Sequence, residues 1–171
     1  MTQPLFVFGT LLDPDLVSVV IGTDISAFRT EPARVHGQKA VRAAHAAYPI
    51  LIEHPEAVTH GLLIHGLTAE HVERIAFYET HEYELGDIHV HAEDEPTRAR
   101  AFFSIDAVIP SDDTWKLADW QRAHKRLALV EAELALGHFG TLDLAEISAH
   151  WPEITKQAVA LMDSEYAVAA E

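Results

Sequence analysis

The chain reads as an α+β protein, and three observations carry that reading. Apolar segments rich in β-branched residues and punctuated by glycine and proline run to about Ile105. From Asp112 onward the pattern is helical, with caps and breakers at Asp112 or Asp113, Gly137, Gly140, Asp143 and Pro152. No internal repeat, low-complexity stretch or Gly/Ser linker separates the two parts, so the helices are expected to pack on the β portion. A length of 171 residues suits a single core.

Taken in order, Leu5–Phe8 is a short buried strand broken by Gly9. Asp13 and Pro14 then supply an N-cap and a first-turn proline for a helix that ends at Gly22. Residues 31–44, 49–53 and 57–65 are strands, several of them paired as hairpins. Thr68 caps a helix through about Phe77, with Leu67, Val72, Ile75 and Ala76 on its apolar face, and Glu79 falls just past its end. The segments Tyr83–Ala92 and Arg98–Ile105 are two more strands, paired across the polar turn EDEPT. One helix is expected from Asp112 or Asp113 to about Leu136. Asp143 begins a short helix, and Pro152 resets it into a last one reaching about Val168.

Composition narrows the function. A net charge of −15 repels phosphates and disfavours nucleic acid or an anionic membrane surface as a partner. With no cysteine, disulfides, thiol catalysis and thiolate metal sites are excluded. The N-terminal MTQPLFVFGTLLDPD lacks a basic lead-in and turns acidic early, and no apolar run approaches the ~20 residues of a membrane span, so a cytoplasmic location is expected.

Two segments carry candidate chemistry. Phe8-Gly9-Thr10-Leu11 lies where a buried strand opens into a turn. Glycine there permits close backbone approach to a ligand, and successive N–H groups can bind a carboxylate or an oxyanion. The segment HVERIAFYETHEYEL places Glu73, Glu79, Glu82 and Glu84 around a helix end. Glu79 follows Phe77 and Tyr78, and a semi-apolar pocket would raise its pKa toward neutrality, as a proton-shuttling glutamate requires. Periodicity alone also allows an exposed Glu79 and a plain turn at Gly9.

These motifs together resemble the gamma-glutamylcyclotransferase-like (AIG2-like) family. FGTL after the first strand, Tyr48-Pro49 opening YPILI, HGLLIHGL, a helix ending in Tyr78-Glu79, and Tyr83 four residues on follow that family's order and approximate spacing over residues 4–105. The resemblance implies a small mixed β-barrel with flanking helices over residues 1–110, and a C-terminal helical extension over residues 111–171 packed on it. It also implies an enzyme that cyclises a γ-glutamyl amine or peptide to 5-oxoproline and releases the amine, with no cofactor. Glu79 maps onto the catalytic glutamate, Phe8, Gly9, Thr10 and Leu11 onto the substrate loop, and Tyr48 and Tyr83 onto the cavity wall.

The departures are Phe8 for a tyrosine, Ala76 for an aspartate, and Thr80 for the glycine that commonly follows the glutamate. The last implies a different backbone beside the site. Together the three keep open a non-catalytic binding module of the same fold. His89 and His91, with His60, His65 and His81, raise a metal reading, but no third ligand stands at diagnostic spacing and no metal is expected. Trp115, Trp120 and Trp151 are expected to dock the helices, with a homodimer if an apolar face stays uncovered. Ser104, Ser111 and Ser148 lack a nucleophile-elbow context.

Overall fold

Strand β1 (Leu5–Val7) is buried on both faces. Leu5 and Val7 pack with the helices, while Phe6 and the following Phe8 join Ala33, Ala40, Ala92, Ala99 and Ala101 in a second cluster. A strand covered on both sides reads as an unbroken apolar run, which is the pattern of Leu5–Phe8. The computed structural model describes residues 3–169. The other strands are β2 (Thr30–Ala43), β3 (Pro49–Ile64), β4 (Tyr83–Ala92), β5 (Glu95–Ser104) and β6 (Pro110–Thr114).

β1 runs antiparallel to β3 and parallel to β5, so the sheet is mixed. β5 pairs with β4, β4 with β2, and β2 with β3, which closes the pairings into a ring with β6 added along β2. Small residues make the interior of the ring possible. At Gly61 on β3, a Cβ would lie 2.3 Å from Val7 O and 2.6 Å from Phe6 Cε2, so only glycine lets β1 and the Phe6 ring sit there.

Helices α1 (Pro14–Ile21), α2 (Ala69–Glu79), α3 (Leu117–Ala123), α4 (Lys125–Leu136) and α5 (Leu144–Ala169) flank the ring. Asp13 caps α1 by accepting from the Asp15 and Leu16 N–H groups, and Gly22 ends it at φ 74°. Thr68 opens α2 in a reciprocal bond with His71. The β4–β5 hairpin turns on Glu93 and Asp94 at φ 48° and 68°, the positive values a two-residue type I′ turn requires.

Leu16, Val17 and Val20 of α1, Ile75 of α2, Trp120 of α3 and Ala128 and Ala132 of α4 share one core with Leu5 and Val7. Each fully buried large side chain in it contributes roughly 1.5–3 kcal/mol. A polar clasp reinforces this packing. Fully buried Asp13 accepts from Gln121 Nε2 at 2.7 Å and pairs with Lys125 Nζ at 2.8 Å, tying the start of α1 to α3 and α4. Burial alone would raise the Asp13 carboxyl, but Lys125, Gln121 and the Leu16 N–H together hold it below its usual range.

The structure corrects several sequence expectations. Asp112 and Asp113 cap no helix. They lie in β6, where Ser111 Oγ donates to Arg42 O at 2.8 Å, Asp113 pairs with Arg42, and α3 begins only at Leu117. The expected single helix to Leu136 is broken at His124, whose φ −129° and ψ −19° lie outside helical values. Pro152 does not restart a helix, because α5 runs unbroken through it. Ile147 and Ile154, on either side, pack with Phe77, Ala135 and Leu136 and hold the helix across the missing hydrogen bond.

The segments 49–53 and 57–65 form one strand, β3. Its ladder with β2 skips register between His36 and Gln38, opposite Pro55. Glu79 is the last residue of α2 rather than a residue beyond it. Among the described residues no helix is long and apolar enough to cross a membrane.

Candidate active site

Helical spacing brings Glu79 inward. It stands four residues after Ile75, which is fully buried, and so shares the core-facing side of α2, whereas Glu73 is exposed. Glu79 keeps partial solvent access, yet protein surrounds its carboxyl closely. Burial first, and then the charge of Glu82, push its pKa up to about 8. Among the described residues no hydrogen bond or ion pair reaches this carboxyl.

After Glu79 the chain makes a 3-10 turn, Thr80–Glu82, before β4. Thr80 occupies φ 61° and ψ −160°, a region that is nearly exclusive to glycine and costs another residue about 1–3 kcal/mol. Thr80, expected from its identity to change the backbone beside the site, is held in a conformation suited to glycine.

Two tyrosines frame the carboxyl. The Tyr48 hydroxyl donates to Glu82 Oε2 at 2.6 Å, and the Tyr83 hydroxyl donates to Pro49 O at 2.9 Å. Their rings meet edge to face with centroids 5.9 Å apart. Burial raises both hydroxyls above the usual phenol range. The Glu82 bond adds to the shift at Tyr48 and the Glu79 charge to that at Tyr83, so both stay protonated. Because each hydroxyl already has a protein acceptor, these side chains set the cavity wall.

The loop after β1 closes the other side. A Cβ at Gly9 would meet Pro49 Cγ at 2.6 Å, so glycine is needed for this loop to lie against the start of β3. Thr10–Leu12 forms a 3-10 turn in which Leu12 N–H donates to Gly9 O. The first N–H groups of such a turn, those of Thr10 and Leu11, have no acceptor within it. The Leu11 and Phe8 side chains are buried, and Phe8 supplies no hydroxyl.

A recess of about 40 Å³ is bordered by Phe8, Gly9, Thr10, Leu11, Tyr48, Tyr83 and Glu79, so the structure brings together the seven residues that the resemblance assigned to catalysis and substrate binding. Thr10, Tyr48, Glu79 and Tyr83 also border a second, larger cavity of about 810 Å³, within the size range of small-molecule sites. Its far wall was not foreseen and comes from α3, α4 and α5, through Trp120, Leu127, Glu131, Ser148, Trp151 and Thr155. Tyr78 lies in the same wall with its ring edge to face against Trp151 at 5.8 Å.

The five histidines raised as metal candidates border neither this recess nor the larger cavity. His65 pairs with Glu31 at 2.7 Å, the His91 ring lies 5.0 Å from that of His36, and His60, His81 and His89 are exposed. Among the described residues no three His, Asp or Glu side chains gather at metal-binding reach.

Other proteins share the fold that holds Glu79 and the Gly9 loop. Residues 5–122 match the model of the family described as gamma-glutamyl cyclotransferase, AIG2-like. The chain belongs to this family. AIG2-like protein A from Arabidopsis thaliana is 25% identical over 124 residues, covering 71% of this chain and 73% of that one. The solution structure of an Arabidopsis thaliana protein superposes with a TM-score of 0.57 at 21% identity, over 82% of this chain and 95% of that one. A solved gamma-glutamyl cyclotransferase does so at 0.53 and 9%, over 90% and 86% of the two chains. At these identities the structural likenesses establish the AIG2-like fold. The family match ends at 122, so the part of the cavity wall built by α4 and α5 lies past it.

Proposed function

We propose that the protein is a gamma-glutamylcyclotransferase that converts a γ-glutamyl amine or peptide to 5-oxoproline and the free amine, with Glu79 moving the proton. The observation that carries this reading is the Glu79 carboxyl, which has no hydrogen-bond or ion-pair partner among the described residues, lies in a recess shared with the Gly9 loop, and has its pKa pushed up to about 8 by burial and the Glu82 charge. A group poised near the working pH can both accept and return a proton.

In the proposed reaction the ionised Glu79 takes a proton from the substrate's α-amine. The amine nitrogen attacks the γ-carbonyl carbon and forms the ring C–N bond, the bond to the leaving nitrogen breaks, and Glu79 returns the proton to that nitrogen. Protons balance and no water is consumed. Holding the substrate curled makes the attack intramolecular, which can remove up to ~7–11 kcal/mol of barrier. The Thr10 and Leu11 N–H groups would hold the substrate's α-carboxylate or the developing oxyanion. The cavity's enclosure by Phe8, Tyr48 and Tyr83 supports a small-molecule substrate.

A non-catalytic binding module of the same fold is the second reading, favoured by Phe8, whose ring leaves that part of the recess without a hydroxyl. Measuring 5-oxoproline release from a panel of γ-glutamyl amines and peptides separates the two. The enzyme reading expects turnover that Glu79→Gln slows by about 10²–10⁴-fold. Ligand binding without turnover, indifferent to that substitution, favours the module.

A further inference from the structure

The larger cavity is strongly asymmetric in charge. Glu79, Glu82 and Glu131 line it along with His45 and His124, and among the described residues no lysine or arginine does. Glu79 and Glu82 belong to the reacting end. Glu131 stands apart from them on α4, beyond the stretch that matches the family.

Glu131 is half-buried. Its Oε1 accepts from the Thr155 hydroxyl at 2.5 Å, and among the described residues it has no cationic partner. Burial raises its pKa, and the Thr155 bond only partly offsets that. A carboxylate kept in a cavity wall without a counter-charge is costly unless a ligand supplies one. Glu131 and Glu79 border the same cavity, and Tyr78 lies in its wall with the Trp151 ring edge to face against it. The Tyr78 hydroxyl is raised first by burial and then by the charges of both carboxylates. A leaving group ending in a carboxylate would meet like charge here. One ending in an ammonium would meet Glu131 and aromatic faces that favour cations.

We infer that Glu131 is the specificity residue for the leaving group, and that the substrate is a γ-glutamyl diamine whose second nitrogen is protonated, rather than a γ-glutamyl amino acid. The inference rests on the cyclisation reading for its reacting end and on α4 and α5 for its selectivity. A mere clasp between α4 and α5 would be served equally by glutamine, which can still accept from Thr155, so Glu131→Gln separates charge recognition from packing.

The test compares 5-oxoproline release from three γ-glutamyl compounds of similar length, made from putrescine, butylamine and γ-aminobutyrate. The wild-type protein is expected to prefer the putrescine compound over the butylamine compound by about tenfold in kcat/KM, the scale of one charge-assisted hydrogen bond, and to use the γ-aminobutyrate compound least. In Glu131→Gln that preference should fall toward one, through KM. Equal use of the putrescine and butylamine compounds by the wild type overturns the inference, as does a preference that survives Glu131→Gln.

Calorimetric binding of free putrescine and butylamine keeps the two readings apart. If none of the three compounds turns over, the cyclisation reading falls. Tighter binding of putrescine that Glu131→Gln removes would then still uphold the cation site, and equal or absent binding of the two amines would refute it.

Discussion

The Tyr48 hydroxyl donates to Glu82 Oε2 at 2.6 Å, and through this bond the loop that leads into β3 fixes a carboxylate three residues beyond Glu79. The Glu82 charge is the second contributor, after burial, to the raised pKa of Glu79. Glu82→Gln removes the repulsion and leaves the burial. Ionised Glu79 is then less disfavoured, and the midpoint of the rise in kcat/KM should move below about 8 without returning to the ordinary carboxyl range. A pH–rate profile reads this shift, and an unmoved midpoint would remove Glu82 from the account.

The same raised pKa has a consequence for stability. A carboxyl whose folded pKa exceeds its unfolded value binds its proton more tightly in the folded state. Stability therefore falls as pH rises from 4.5 toward about 8 and stays reduced above that. Glu79→Gln removes this penalty, so the variant should be more stable than the wild type at pH 9, by roughly 2 kcal/mol after allowing for the group's partial solvent access. At pH 4 the two should be nearly equal. Urea denaturation at both pH values checks the difference.

Thr80 carries strain at φ 61° and ψ −160°. Thr80→Gly should relieve it, and after the added flexibility of the unfolded chain is counted, a gain of about 1 kcal/mol is expected. Thermal unfolding should show a higher Tm. A lower Tm would mean that the threonine side chain contributes contacts that outweigh its backbone.

Gly9 has the opposite constraint. An added methyl would stand 2.6 Å from Pro49 Cγ and 3.2 Å from Cδ, atoms of a ring that cannot rotate away. Gly9→Ala should cost about 1–3 kcal/mol by overpacking. It should also lower kcat/KM, because the loop and β3 must separate where both border the recess. Unchanged activity would show that the loop's approach to Pro49 is dispensable.

The recess shared by Glu79 and the Gly9 loop was legible in the sequence, and the far wall of the larger cavity was not. Gly9, Tyr48 and Tyr83 lie in local motifs whose order survives in the fold. Glu79 had a further signal, since it falls four residues after Ile75 and three after Ala76 and so continues the apolar face of α2. The far wall had a weaker one. Trp120, His124, Leu127 and Glu131 recur at helical spacing, as do Ser148, Trp151 and Thr155. Such stripes mix polar and aromatic residues and read as ordinary half-buried faces until α4 and α5 are placed against the ring.

Strand β6, Pro-Ser-Asp-Asp-Thr, has no apolar alternation. It pairs because β2 presents an open edge and Arg42 a partner for Asp113. Pro152 misled for a related reason, because local chemistry calls for a break that packing on both sides of α5 overrides.

Proton transfer by Glu79 from a cavity that raises its pKa is decided by the pH dependence of kcat/KM for 5-oxoproline release, measured on wild type and Glu79→Gln side by side. The wild-type rate should climb with pH to a plateau above about 8. The Gln variant should be slower by about 10²–10⁴-fold. A Gln variant that matches the wild type across the profile would contradict proton transfer by Glu79.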